Sequence, residues 1–308
     1  MYSDQILLEV IAMIILTLAG YFISRSVLGS RIIRVVNLFL FYVSIPLTVF
    51  IKVATIPSET VFLSLLIISI VHMFIIYIIA YGVSKAFTAN SLDAISTALS
   101  LSLPNSLFLA VPLALILFGD VGPVLPYGVA TNIVLSLYAI MLARVGSSRG
   151  RDGGRLYTRS IPTILSLILG LLLRITMPSL ASLEQIKLVS SVITNSFYLS
   201  FLIIGESLKT ISRASIKVHK HLIAISIIVK YLLSPALVIA LIYVFQAIIT
   251  IDRLFILGMI IQSIMPPAVV NLIFAKVFDL NYEIISLVLV LLTPVSIAIA
   301  FVLIGFSP

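Results

Sequence analysis

The chain contains no cysteine, which excludes disulfides, thiolate metal sites and cysteine nucleophiles and leaves no redox mark of a compartment. Charge is scarce. Only 10% of the 308 residues are Asp, Glu, Lys or Arg, against 61% hydrophobic residues, more apolar surface than a soluble core of this size can bury. Runs of 18 or more apolar residues recur along the whole length, and the chain therefore reads as a polytopic membrane protein. HExxH, GxSxG and P-loop patterns are missing, so neither a familiar hydrolase nor ATP-driven pumping is indicated. The expectation is a non-enzyme without cofactor or metal. The start, MYSDQILLEV, carries Asp4 and Glu9 but no basic residue, so the first apolar run is expected to be a retained helix rather than a signal peptide. A net charge of +8 raises the question of nucleic acid. The basic residues, however, sit in short stretches between apolar runs, where they set membrane topology.

Ten spans are predicted, at 5–23, 33–53, 61–84, 91–118, 124–143, 161–175, 186–208, 219–245, 254–278 and 282–304. With the N-terminus outside, Arg25, Arg31, Arg34, Lys85, Arg144, Arg149, Arg151, Arg155, Arg159, Lys209, Arg213, Lys217, Lys220 and Lys276 fall in inner segments. Lys52, Arg174, Lys187 and Arg253 fall in outer ones, a 14-to-4 bias that places both termini outside, in a plasma-membrane protein. The longest polar stretch, GSSRGRDGGR from Gly146, is basic and Gly-rich. It divides the chain into a first repeat (1–145), a cytoplasmic linker (146–158) and a second repeat (159–308). Five spans per repeat means that the second enters the membrane inverted. Gly20 in span one is matched by Gly170 in span six, and Pro104 in span four by Pro266 and Pro267 in span nine. Inverted repeats with paired broken helices mark secondary transporters.

The break in span four, LPNSLFLAVP, puts two prolines and an asparagine mid-membrane. Proline in a helix interior costs roughly 3 kcal/mol, and the bilayer core holds no water for the freed carbonyls. The sequence predicts a second half-helix starting near Asn105, a good N-cap residue, and another starting at Pro267, which suits a first helical position. Two such N-termini facing one cavity receive an anion without a formal charge. The plain alternative is proline kinks that only improve packing. That alternative suits Pro46, Pro162, Pro235 and Pro294, which have no counterpart in the other half.

LSLPNSLFLAVPLALILFG (Leu101 to Gly119) resembles the fourth-span motif of the auxin efflux carrier family, which includes the plant PIN proteins. IIQSIMPPAVVNLIFAKVFDLNYEIIS (Ile260 to Ser286) is similar to the ninth span. The likeness is strong in these two spans and faint elsewhere, and the long cytoplasmic loop of many plant members is absent. The resemblance implies two inverted five-helix repeats. Spans one, two, six and seven would form a dimerising scaffold, and spans three to five and eight to ten a transport domain moving like an elevator. Asn105 would take a substrate carboxylate where the broken helices cross. Related bile-acid sodium symporters use an intramembrane acid there, and no acidic residue of this chain lies near either break.

The expected substrate-binding set is Ser102, Pro104, Asn105 and Ser106 at the first break, and Pro266, Pro267 and Ala268 at the second. Thr131 and Asn132 (span five), Gln262 and Ser263 (one turn before the second break) and Asn195 (span seven) are added to it. Each also has a structural reading. Thr131 and Asn132 suit a helix–helix hydrogen bond worth about 0.6 kcal/mol, and Gln262 suits freed carbonyls. Lys230 is the one basic residue well inside a span, where it costs at least roughly 2.5–3.5 kcal/mol and must face protein or water. It is a candidate charge sensor or a partner for broken-helix carbonyls. It resembles an Arg at the matching place in plant carriers. His72 is a candidate proton carrier or a satisfied core histidine. Where plant members carry an Asp–Lys pair, this chain has Ser69 and Met73. The His219–Lys220–His221 run suits a solvated basic edge rather than a metal site.

These features point to a carrier for a small organic anion, with a carboxylate the first choice. A sodium- or proton-coupled symporter, a non-transporting receptor using the same pocket, and a channel stay open as alternatives.

Overall fold

The computed structural model describes residues 2–56, 58–145, 161–177, 184–208 and 219–305. The linker at 146–158 and the basic residues Arg149, Arg151, Arg155, Arg159, Lys209, Arg213 and Lys217 lie outside the described residues. Among those described, the chain is all-helical. Six helices are long and apolar enough to cross a membrane, at Val27–Ala54, Glu59–Phe87, Gly122–Leu142, Leu188–Glu206, Lys220–Gln246 and Tyr282–Leu303.

In chain order the elements are α1 (Tyr2–Ile23), α2 (Val27–Phe39), a π-helical turn (Leu40–Ser44), α3 (Ile45–Ala54), α4 (Glu59–Phe87), α5 (Ser91–Ser102) and α6 (Ala110–Phe118). A short 3-10 turn (Gly122–Val124) leads into α7 (Leu125–Val145). Then follow α8 (Ile161–Thr176), α9 (Glu184–Asn195), a 3-10 turn (Ser196–Leu199) and α10 (Ser200–Ser207). The chain continues with α11 (Lys220–Ile228), a π-helical turn (Val229–Leu233), α12 (Ser234–Gln246), α13 (Arg253–Ser263), α14 (Val270–Val277) and α15 (Tyr282–Gly305).

The helix starts follow from local chemistry. Ser58 accepts from the Val61 N–H and caps α4, Asn90 accepts from the Leu92 N–H and caps α5, and Asp252 accepts from the Leu254 N–H and caps α13. Gly119, at φ 67°, takes the left-handed conformation that ends α6 and turns the chain to Asp120.

The predicted spans four and nine are each in two pieces. α5 has 12 residues and α6 has 9, and at about 1.5 Å per residue neither piece crosses a hydrocarbon core of about 30 Å. α13 (11 residues) and α14 (8 residues) divide span nine in the same way.

Two close packings lie away from the breaks. α1 lies on α10, and α3 lies on α8. Glycine makes the first possible. A Cβ on Gly20 would run into the Leu202 carbonyl, and one on Gly205 into the Thr17 carbonyl. A Cβ on Gly170 would sit 2.8 Å from the Phe50 carbonyl in the second. The largest apolar core joins α3, α4, α7, α13 and the segments after the breaks, with Leu65, Tyr127, Tyr138 and Phe274 fully buried.

Gly20→Leu and Gly205→Leu are therefore expected to lower the melting temperature of the detergent-solubilised protein, by a loss of about 1–3 kcal/mol from overpacking. Gly82, with open space around it, serves as the control. A Gly82→Leu protein melting with the wild type, while the other two melt below it, would bear out the close approach.

Candidate functional site

The two breaks cross and pair with each other. Asn105 N donates to the Pro266 carbonyl at 2.7 Å, and Ala268 N donates to the Leu103 carbonyl at 2.9 Å. Pro104 and Pro267 face each other in this antiparallel bridge. They occupy its non-hydrogen-bonded pair, where no inter-strand N–H is called for, so their missing donors cost nothing between the two segments.

This pairing corrects two expectations. Asn105 does not cap the second half-helix. α6 begins at Ala110, with Leu109 at the cap, because the Asn105 N–H is taken by the Pro266 carbonyl and a turn over 106–109 precedes the helix. Pro267 is not the first residue of α14, which begins at Val270, because Pro267 sits in the bridge. Neither half-helix carries a side-chain cap at its N-terminus. Pro112 falls in the first turn of α6, where its missing N–H is one of the unpaired donors anyway.

Side chains meet further carbonyls around the breaks, and one adds a second donor to a carbonyl of the bridge. Lys230 is fully buried, and its Nζ donates to the Leu101 carbonyl at 3.2 Å. Asn271 Nδ2 donates to the Leu103 carbonyl at 3.0 Å. Gln262 Nε2 donates to the Ser106 carbonyl at 3.1 Å and to the Val124 carbonyl at 2.8 Å. Ser234 Oγ donates to the Ser263 carbonyl and Ser296 Oγ to the Ile264 carbonyl, at 2.7 and 2.6 Å. Of the two readings of Lys230, the carbonyl partner is the one with a visible bond.

Behind the crossing lies a polar chain. Ser106 Oγ is 2.8 Å from Thr131 Oγ1, which also bonds to the Tyr127 carbonyl. His72 Nε2 lies 2.9 Å from the Ser234 carbonyl, which only accepts, so Nε2 carries the proton. Nδ1 is then free to accept from the Tyr127 hydroxyl at 2.7 Å, and both ring nitrogens are used by a neutral imidazole. Asn132 Nδ2 bonds back to the Gly128 carbonyl, Ser102 to the Leu99 carbonyl and Ser263 to the Ile260 carbonyl.

Not every polar atom is used. Asn105 Nδ2, Gln262 Oε1 and Asn271 Oδ1 are buried without a partner among the described residues. One is a donor and two are acceptors, and all three residues lie at the crossing or one turn from it. A buried amide left so costs about 1–3 kcal/mol.

Asn195 is elsewhere. It lines a cavity of about 600 Å³ at the end of the molecule that carries Lys52, Asp120 and Arg174, away from the crossing. Lys52 forms an ion pair with Asp120 there. Asn271, Ser234 and Ser296 are hydrogen-bonding neighbours of the breaks that the sequence did not single out. Asn271 stood in the quoted span-nine motif, four residues beyond Pro267, and only the tertiary pairing with Leu103 distinguishes it. No family model and no curated protein matches the chain. Fold and site together define an all-helical protein with membrane-crossing helices and a buried polar crossing of two broken ones.

Gln262→Met removes the donor from two carbonyls at once. Thermal unfolding in detergent is expected to show a loss of about 2 kcal/mol or more. A melting curve unchanged from wild type would mean that these two bonds carry no stability.

Proposed function

We propose that the chain is a secondary carrier of a small organic anion, with a carboxylate held at the crossing of the broken helices. The observation that carries this reading is Asn105. Its Nδ2 is a buried donor that no protein atom among the described residues meets, and it lies where two uncapped half-helices begin a few residues further on. Each helix N-terminus contributes about 0.3–1 kcal/mol toward a negative group, up to about 2 when partly buried. A neutral amide and two dipole ends bind a carboxylate and let it go.

The same reading includes ten spans in two inverted repeats, 1–145 and 159–308, as the resemblance to the auxin efflux carriers implies. The packing supports it. Exchange of the halves turns the contact of span one with span seven into that of span six with span two, and these are the α1–α10 and α3–α8 packings. Gly20 and Gly170 hold matching places in them. Spans one, two, six and seven form the scaffold and its homodimer contact. Spans three to five and eight to ten move as one transport unit. Both termini lie outside, in the plasma membrane. "Auxin" is not carried over to the substrate.

A second reading, coupling to Na⁺ or H⁺, is favoured by one observation. Gln262 Oε1 and Asn271 Oδ1 are buried acceptors without donors, and amide oxygens are hard ligands for a small cation.

The test is uptake of labelled malonate, malate and indole-acetate into proteoliposomes, with voltage, Na⁺ and pH gradients applied separately. Saturable uptake driven by voltage alone is expected. Uptake only with Na⁺ or a proton gradient would replace uniport by symport, and binding without flux would replace the carrier by a receptor. Asn105→Ala is expected to weaken substrate about ten- to a hundred-fold, the worth of a hydrogen bond to a charged group, with the melting temperature kept. Uptake at the wild-type level by that variant would remove Asn105 from the site.

A further inference from the structure

The cavity of about 600 Å³ that Asn195 lines is separate from the crossing and carries a charge pattern of its own. Its walls come from both sets of helices: α3, α8 and α9 on one side, and the end of α6 on the other. Lys52 and Arg174 present two cations to it, and Asp120 one carboxylate. Hydroxyls of Ser190 and Thr194 add polar atoms, although the Thr194 hydroxyl is engaged by the Ser190 carbonyl.

The Lys52–Asp120 ion pair has a second property. Both residues also line a neighbouring cavity of about 260 Å³ that reaches Phe62, Asp252 and Phe255. The pair is thus part of the wall between two cavities at one end of the molecule. Lys52 stands in the last turn of α3, and Asp120 follows the glycine that ends the half-helix α6. Their side chains are 25% and 50% exposed, so water competes for both and the pair is weak. Arg174 has Glu59 at 4.0 Å, and that side chain is half exposed too.

We propose that the larger cavity is a binding site for a small carboxylate, held between Lys52 and Arg174, in which Asp120 occupies the anion's place when the site is empty. An entering carboxylate takes Lys52 from Asp120. Release of Asp120 frees the end of α6 from α3 and opens the wall toward the second cavity. The site rests on the anion reading for its ligand class but not on the crossing for its residues. It serves as a loading site from which the anion passes inward.

Displacement makes the affinity depend on the internal competitor. Where a cation is partly occupied by its own carboxylate, apparent affinity falls by the fraction of time the cation is taken. Removing Asp120 therefore strengthens binding, and removing Lys52 weakens it.

The experiment is malonate binding to the full-length protein in detergent, by calorimetry, at low and at high salt. Asp120→Asn is expected to bind malonate about three-fold more tightly than wild type, in line with a weak exposed pair. Lys52→Gln and Arg174→Gln are expected to bind about ten-fold more weakly, and high salt to reduce the wild-type affinity. Asn105→Ala is expected to keep this binding while losing uptake. Wild-type affinity in all three charge variants would overturn the loading site and leave the crossing untouched. Loss of all malonate binding in Asn105→Ala would also overturn it, because the crossing would then be the whole site. Retained uptake in Asn105→Ala, with binding sensitive to Lys52, would instead sink the crossing and leave the loading site standing.

Discussion

A helix interrupted inside a bilayer frees backbone groups that no water will meet, and here each interruption is met by the other. The Leu103 carbonyl takes the Ala268 N–H, and the Pro266 carbonyl takes the Asn105 N–H. Pro104 and Pro267 fit this bridge because it leaves them at positions without an inter-strand donor. Everything near the crossing follows from that pair of bonds. α6 begins only at Ala110 and α14 only at Val270, since the bridge holds Pro104 and Pro267 and a turn intervenes before each helix. Lys230, Gln262, Ser234 and Ser296 lie around the crossing as donors to carbonyls the bridge does not reach, and Asn271 adds a second donor to the Leu103 carbonyl within it.

Bond capacity then separates two kinds of buried polar residue that a sequence shows alike. His72 uses both ring nitrogens, and Ser234 and Ser296 each give their proton to a break carbonyl. Such groups hold the backbone in place, and a ligand would have to take them from it. Asn105, Gln262 and Asn271 each keep one unused amide atom at the crossing. A native structure retains few such atoms, because each costs about 1–3 kcal/mol. Under the proposed function, ligand binding at the crossing would offset that cost.

Much of this was legible in the sequence because it depends on local chemistry. The apolar runs, the breaks at Pro104 and Pro266–Pro267, and the small residues Gly20 and Gly170 are all readable from residue type and position. The start points of the half-helices were not. N-cap preference argued for Asn105 and first-turn preference for Pro267, and both are overruled by a bridge between segments far apart in the chain. Lys52 and Asp120 were equally opaque. Lys52 counted only as an outer charge, and only the turn at Gly119 brings Asp120 to it beside a cavity.

The placement of strong and weak contacts also says where the molecule can yield. Within the α1–α10 and α3–α8 packings, glycines bring backbone against backbone, and a rearrangement there would lose many dispersion contacts at once. At the crossing, two backbone bonds and several side-chain bonds tie α5, α6, α13 and α14 into one piece, and no water is at hand to replace them. Between α3 and the end of α6 the tie is an ion pair open to water, beside a cavity of about 600 Å³. Water replaces that tie at little cost. Under the proposed function, the crossing helices would move relative to α1, α3, α8 and α10 as a rigid unit that keeps the bridge, and the movement would break both the Lys52–Asp120 contact and the bond from Ser200 Oγ to the Phe108 carbonyl. The broken helices would then travel as a unit, and the unused amide atoms at their crossing would keep their geometry on both sides of the movement.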